Sequence, residues 1–459
     1  MSNRSGFSGR LGFVAAAAGS AVGLGNIWKF PYETGENGGA AFLIIYLVCT
    51  FLIGFPVMVG EISMGRKTLA DPYGAYNKLG GRKWAIVGLF GVICGVMILS
   101  FYNVVAGWAF SYFFKLSFGD LLTSTDFGGY FGNYVANISD NFFISFLFMV
   151  LTAFIVARGI KKGIEAAAKI LMPVLILLLV GLIFYSMTLP NAMEGLKFYL
   201  VPDFNKVGFD TIYKAMGHAF FSLSLGMGAL ITYGSYISKK ENIISSAAIV
   251  SIADVGVAFL AGLLIFPLVF SQGVEPSAGP GLVFITLPGI FQTMAAGKLI
   301  GGAFFLLLSL AALTSTISLL EVPVSYVVDE YKWNRTKAVT ILAAGIFLIG
   351  LPSMFSQGAS ELFTNFIHYD GVSKDFLSLI EDVFLNVGLP LGGCLMSIFI
   401  AARWKTSNMA AEIEQGNAGY IGSFVQKFID IVITYIAPVL LGSIFLLTVM
   451  QKFFGISFF

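Results

Sequence analysis

Charge is scarce in this chain of 459 residues: Asp, Glu, Lys and Arg make up 11%, against 57% apolar residues. So little polar surface cannot clothe a soluble globule of this size, and the mean hydropathy of +0.86 points to a polytopic membrane protein. Only two histidines and three cysteines are present. Cys49, Cys94 and Cys394 all fall inside apolar runs, where a thiol packs as a small hydrophobe, so neither a disulfide framework nor a metal cluster is expected. The net charge of +2 says nothing about a nucleic-acid partner, but there is no Walker loop and no basic patch interleaved with aromatics, so none is expected. No cleavable signal peptide is expected either, because no plausible processing site precedes the irregular centre of the first apolar run.

What is abundant is membrane-length apolar sequence. Eleven stretches stand out, at about 10–35, 39–65, 85–115, 141–158, 164–188, 211–237, 242–270, 298–328, 336–352, 378–402 and 426–450, with outer loops near 120–140, 190–210 and 272–295. Short loops that keep Lys and Arg stay in the cytoplasm. With the N-terminus inside, all seven arginines (Arg4, Arg10, Arg66, Arg82, Arg158, Arg335, Arg403) fall on or beside the cytoplasmic face. The odd span count then leaves the tail outside. An inner (plasma) membrane location follows, with the lipid bilayer as a partner.

Two of these runs are poor helices. The first carries Gly19-Ser20-Ala21-Val22-Gly23-Leu24-Gly25-Asn26 at its centre, and the sixth carries Ser222, Ser224, Gly226 and Gly228. Glycine costs a helix interior about 1 kcal/mol against alanine. A break in the bilayer survives only where protein, water or a ligand satisfies the freed backbone groups. Spans one and six open two five-span halves, and glycine-interrupted segments in corresponding positions point to a transporter built from inverted repeats with a midplane site. Half-helix ends add chemistry: free N–H groups favour an anion and free carbonyls a cation, so a carboxylate-bearing ligand travelling with a metal cation is implied.

The motifs AVGLGNIWKFPY (21–32) with ENGG (36–39), SFYNVVAGW (100–108), AFFSLSLGMGALITYGSY (219–236), GLVFITLP (281–288) and LAALTSTISLLEVP (310–323) follow in order along the chain. This sequence resembles the neurotransmitter:sodium symporters, in their bacterial amino-acid, leucine-transporter-like branch. The resemblance implies an all-α membrane fold of two inverted repeats, 10–188 and 211–404, within a single transport domain spanning 1–459. Members usually have twelve spans; here the match reaches the eleventh, 426–450. It also implies a carrier, not an enzyme, with two sodium ions as co-substrates.

Carried over by resemblance, the first sodium site comprises Ala21, Asn26, Ser222 and Asp254, and the second Gly19, Val22, Ala311, Thr314 and Ser315. The substrate site comprises Ala21, Gly23, Gly25, Ile98, Tyr102, Phe221, Ser222, Ser224, Met227, Ser315 and Leu319. Monoamine members carry aspartate where Gly23 stands, so glycine here implies a substrate with its own carboxylate, received by Tyr102 and the backbone near Gly25. The side-chain pocket holds no residue able to neutralise a charge, which favours neutral apolar or aromatic amino acids. Met227 replaces the phenylalanine of the leucine-selective relative and can move aside for a large ring.

Two gates are implied: Arg4 with Asp329 and Tyr236 inside, and Lys29 with Asp382 outside. Lysine at 29 departs from the usual arginine and offers a point charge instead of a bidentate fork. Asp254 takes the place of a bound chloride beside Tyr46 and Ser222, with Ala258 where chloride-dependent members offer a serine; it is expected to return protonated on the empty half-cycle. Gly163 and Pro173 mark span five as able to open inside, and Glu61 is expected to bind broken backbone. Other readings of the residues are a sodium-dependent amino-acid sensor or channel, and an intramembrane serine hydrolase using His218 and Ser222. The second lacks an oxyanion motif.

Overall fold

The computed structural model describes residues 6–273, 281–369 and 371–456. Among these, nine unbroken helices are long and apolar enough to cross a membrane: Ala40–Thr68, Arg82–Ser117, Ile138–Ala157, Ile160–Ser186, Ile243–Phe270, Gly297–Tyr331, Arg335–Phe355, Phe376–Trp404 and Phe424–Phe454. A further crossing is bent by 48° between Arg10–Ala21 and Gly25–Glu36. The sixth apolar run is divided into Phe209–Ser222 and Ala229–Gly234. The expected breaks are therefore where the glycines put them.

Helix Gly297–Tyr331 forms the centre, with 83% of its most apolar stretch enclosed, whereas Ile160–Ser186 has 28% and turns most of its apolar side chains outward to lipid. The central helix packs along Arg82–Ser117 and against Arg10–Ala21. Without a hydrophobic driving force between helices in lipid, close packing depends on small residues. The alanines and glycine of the first helix, Ala16, Ala17, Ala18 and Gly19, are buried accordingly. Several spans contain a π-helical turn, among them Gly25–Lys29, Ile160–Glu165 and Glu381–Val387, a distortion frequent at functional sites.

The three expected outer loops are not irregular. Each contains a short helix, Phe127–Ala136, Ala192–Leu200 and Leu282–Gln292, too short to register as a span but amphipathic or apolar enough to lie on the bundle. An antiparallel hairpin, Ile367–Tyr369 with Val372–Lys374, precedes the tenth span. At the end expected to be cytoplasmic, Arg66 is fully buried, donating to Glu412 Oε1 at 2.9 Å and to the Glu241 carbonyl at 2.6 Å. A buried guanidinium so paired ties three segments of chain together, and removing one partner would strand the other charge.

Candidate functional site

The two breaks face each other and are held by side chains. Ser224 adopts a left-handed conformation (φ +56°), and its hydroxyl donates to the carbonyl of Ser20 in the first break at 3.0 Å. Gly226 and Gly228 follow with φ of +85° and +77°, a turn that residues with a Cβ adopt poorly. The freed N–H of Gly226 donates to Glu61 Oε1 at 2.8 Å. Glu61 thus binds the backbone of span six, as its sequence context suggests.

Between the breaks lies a small cavity lined by Ser20, Ala21, Gly23, Gly25, Ile98, Tyr102, Phe221, Ser222, Ser224, Met227, Ser315, Ser318, Leu319 and Leu389. Every residue expected around a substrate lines it. Ser20, Ser318 and Leu389 were not anticipated. Ser318 lies one helical turn from Ser315 and could have been read from that spacing; Ser20 neighbours Ala21, but nothing in the local sequence brings in Leu389 from the tenth span.

Gly23 is required by packing. A Cβ there would run into the Ser315 hydroxyl and come within 2.9 Å of the Tyr102 hydroxyl. The Leu24 N–H donates to the Tyr102 oxygen at 3.0 Å, and the Ser315 hydroxyl is a second hydrogen-bond partner of the same phenol at the cavity wall. A carboxylate beside Gly23 would meet that phenol at the start of a half-helix, where backbone dipoles also favour an anion.

On one flank of the cavity four buried groups converge. Asn26 Nδ2 donates to Asp254 Oδ1 at 2.7 Å and to Ser222 Oγ at 3.1 Å, while Asn26 Oδ1 accepts from the Gly23 N–H at 2.9 Å. Ser222 Oγ donates to Asp254 at 2.8 Å, and Tyr46 OH reaches the other carboxylate oxygen at 3.1 Å. Among the described residues no cationic side chain pairs with Asp254. The carboxylate is held by hydrogen bonds alone. Turning the Asn26 amide over would present its oxygen, so that carboxylate, amide, hydroxyl and the Ala21 carbonyl together suit a hard cation.

On the other flank, Thr314 Oγ1 donates to the Val22 carbonyl at 3.2 Å and the Ala311 carbonyl at 2.9 Å. Gly19 faces the same threonine: a Cβ on it would lie 3.4 Å from Thr314 Cβ. Gly19, Val22, Ala311 and Thr314 are thereby gathered, with Ser315 next in the chain lining the cavity. This group offers oxygens only and no fixed charge.

The outer charge pair differs from expectation. Lys29 Nζ lies 3.4 Å from Glu381 Oε1, not against Asp382, and sits 5.2 Å from the centre of the Phe221 ring. Asp382 is engaged by Lys452 at 2.6 Å, Tyr369 OH at 2.9 Å and Asn386 Nδ2 at 2.9 Å. Adjacent helical residues project about 100° apart, so only one of the two acids can face span one. At the inner end, Arg4 lies outside the described residues. Tyr236 donates to Glu321 at 2.7 Å, and Arg335 grips the same carboxylate with both of its terminal nitrogens. Asp329 accepts from the Asp71 N–H at 3.1 Å.

Gly163 sits in the π-helical turn Ile160–Glu165, and Pro173 inside the helix that follows. Glu165, at the end of that turn, accepts from the Ser8 N–H at 2.9 Å, linking the N-terminal segment to span five. A hydrolytic dyad is not formed: Ser222 donates to Asp254, and neither ring nitrogen of the buried His218 has a hydrogen-bond partner among the described residues.

Comparison with known proteins gives the same picture. Residues 4–128 and 138–455 match the Sodium:neurotransmitter symporter family. The chain is 38% identical over 431 residues to the uncharacterized sodium-dependent transporter YhdH of Bacillus subtilis, covering 92% of this chain and 94% of that one. It is 30% identical over 503 residues to the sodium-dependent serotonin transporter of Drosophila melanogaster, covering 95% of this chain and 75% of the relative. Among solved structures, the crystal structure of MhsT in complex with L-phenylalanine is similar with a TM-score of 0.88 and 44% identity, covering 97% of this chain and 99% of the other. Family and neighbours alike are transporters, not enzymes. With two broken helices enclosing a cavity flanked by oxygen-lined pockets, this chain belongs to the sodium:neurotransmitter symporter family, whose members move solutes in a sodium-dependent way.

Proposed function

We propose that the protein is a symporter that moves a neutral hydrophobic or aromatic L-amino acid into the cell with two sodium ions, by alternating access across the inner membrane, without chloride and with a proton returning on Asp254. The N-terminus is inside, and the halves 10–188 and 211–404 move against each other. The observation that carries this reading is the pairing of Gly23 with Tyr102: position 23 carries no acidic side chain, and the Tyr102 hydroxyl lines the same cavity. A substrate carboxylate received by Tyr102 would lie close to Ala21, Asn26, Ser222 and Asp254, which would hold the first sodium. Gly19, Val22, Ala311, Thr314 and Ser315 would hold the second. Substrate binding and sodium binding then reinforce each other through the shared carboxylate.

The side-chain end is bounded by Ile98, Phe221, Met227, Leu319 and Leu389, with no ion-pairing residue. A charged side chain would be desolvated there without compensation. The phenylalanine bound to MhsT supports the same substrate class. Each ion entering down a tenfold gradient contributes about 1.4 kcal/mol, and each net charge moving through 100 mV about 2.3 kcal/mol. Two ions in and one proton out thus supply roughly 5 kcal/mol when the pH is equal on both sides, enough for an accumulation of more than a thousandfold.

Uptake of labelled leucine, phenylalanine and tryptophan into proteoliposomes tests this. Uptake should require sodium, persist with gluconate replacing chloride, and show counterflow, which a channel does not. Uptake that continues with choline in place of sodium refutes the proposal.

A further inference from the structure

The cavity between the breaks is not wholly apolar. Three serines, Ser20, Ser224 and Ser318, line it in addition to the hydroxyls assigned to ions and carboxylate. Ser224 donates its hydrogen to the Ser20 carbonyl at 3.0 Å, and Ser318 donates to the Ser315 carbonyl at 2.9 Å. The Ser20 hydroxyl, only 2% exposed, has no hydrogen-bond partner among the described residues. Buried hydroxyls are nearly always paired, so an orphan lining a ligand cavity points to a partner on the ligand.

We infer that Ser20 is a specificity-determining residue that accepts a hydrogen bond from the ring N–H or O–H of an aromatic amino acid, so that tryptophan and tyrosine are distinguished from isosteres lacking the donor. This rests on the amino-acid reading above and narrows it. Because Ser224 and Ser318 have already committed their hydrogens to carbonyls, all three oxygens can accept, and the cavity as a whole is set up to receive a donor. A leucine or phenylalanine side chain would leave Ser20 buried and unpaired. An indole or phenol supplies the apolar body that Ile98, Met227 and Leu319 demand together with the one donor that Ser20 lacks. Sites built to bond a polar atom discriminate strongly against analogues without it, because their own group is then left unsatisfied.

The test compares sodium-dependent binding of tryptophan with 3-benzothienylalanine, in which sulfur replaces the N–H, and of tyrosine with phenylalanine, to the full-length protein in detergent. Tryptophan should bind about three- to tenfold tighter than its sulfur analogue, the worth of one neutral hydrogen bond, although the analogue is the more hydrophobic. Ser20→Ala should bring that ratio close to one, and Ser20→Thr should retain it. The analogue pair in the unmodified protein reads the effect without any variant. Equal affinities there, or a ratio that Ser20→Ala leaves unchanged, overturn the assignment of Ser20 while sodium-dependent binding of all four compounds stands. If none of the four, nor leucine, binds in sodium, the amino-acid reading itself fails.

Discussion

Lys452 Nζ lies 2.6 Å from Asp382 Oδ1, joining the end of the helix Phe424–Phe454 to the tenth span just above the cavity. The same carboxylate accepts from Tyr369 of the outer hairpin, and Phe453 stacks on the Tyr369 ring with centroids 5.0 Å apart. Asp382 is buried and Lys452 is one-third exposed. One residue earlier, Glu381 turns to Lys29 on the bent first span. Two neighbouring acids therefore serve different ends: Asp382 anchors its own helix to Phe424–Phe454 and to the hairpin, and Glu381 reaches across the mouth of the cavity.

Separate consequences are expected for the two. Asp382→Asn or Lys452→Met should lower stability by about 1–2 kcal/mol, since one partner is buried and the other one-third exposed. The exchange Asp382→Lys with Lys452→Asp should recover part of the loss. Glu381→Gln should leave unfolding nearly unchanged and speed substrate release up to about fivefold, because its pair with Lys29 is partly exposed and worth at most about 1 kcal/mol. Thermal unfolding and dissociation kinetics of labelled substrate separate the two roles; identical effects of both acids would contradict them.

The division between Glu381 and Asp382 shows where the sequence stops being informative. Both breaks are legible, because glycine and serine in mid-membrane are locally unfavourable in any helix, and the residues around the cavity follow from the family motifs on those breaks and on the unbroken helices Arg82–Ser117 and Gly297–Tyr331. Which of two adjacent carboxylates faces span one depends on the winding of the π-helical turn Glu381–Val387, a feature of packing and not of local preference. Lys452 and Leu389 are likewise brought in by tertiary contact from distant sequence. The helices in the outer loops are too short and too mixed in polarity to stand out against turn-rich neighbours.

Gly23 provides a second test. Adding one methyl in Gly23→Ala forces it against the Ser315 hydroxyl and to within 2.9 Å of the Tyr102 oxygen. Overpacking costs about 1–3 kcal/mol, so substrate affinity should fall by roughly five- to a hundredfold. Gly23→Asp should abolish amino-acid binding by also placing a negative charge where the substrate carboxylate goes. Isothermal binding at saturating sodium checks both; an alanine variant with unaltered affinity would move the carboxylate site elsewhere.

Met227 sits at the wall of the cavity in the glycine-flanked turn of span six, and only 5% of it is exposed. A thioether bends away from a large ligand, whereas a phenyl ring cannot. Met227→Phe should therefore weaken tryptophan by about 1–3 kcal/mol and leucine by much less. Competition of unlabelled amino acids against labelled leucine gives the comparison. Equal losses for both would show that the size limit lies in another wall, such as Leu389.

Asp254 carries the prediction with the widest consequence. Fully buried, it receives hydrogen bonds from Asn26, Ser222 and Tyr46, and among the described residues no cationic side chain offsets its charge. In the proposed mechanism sodium beside it compensates the carboxylate, and uptake should then need no chloride. Ala258, buried nearby on the same helix, offers no hydroxyl to hold one. Once sodium and substrate have left, an uncompensated buried carboxylate takes a proton instead of remaining charged. Lowering the pH inside proteoliposomes should then speed uptake by hastening the empty return, and Asp254→Asn should lose this response. The same variant should bind sodium more weakly, since removing one partner of a buried pair costs about 3–5 kcal/mol. Adding chloride should restore uptake only when Ala258→Ser is combined with it. Uptake by the unmodified protein that depends strictly on chloride, or that ignores internal pH, would show that the charge beside the first sodium is balanced by something other than Asp254.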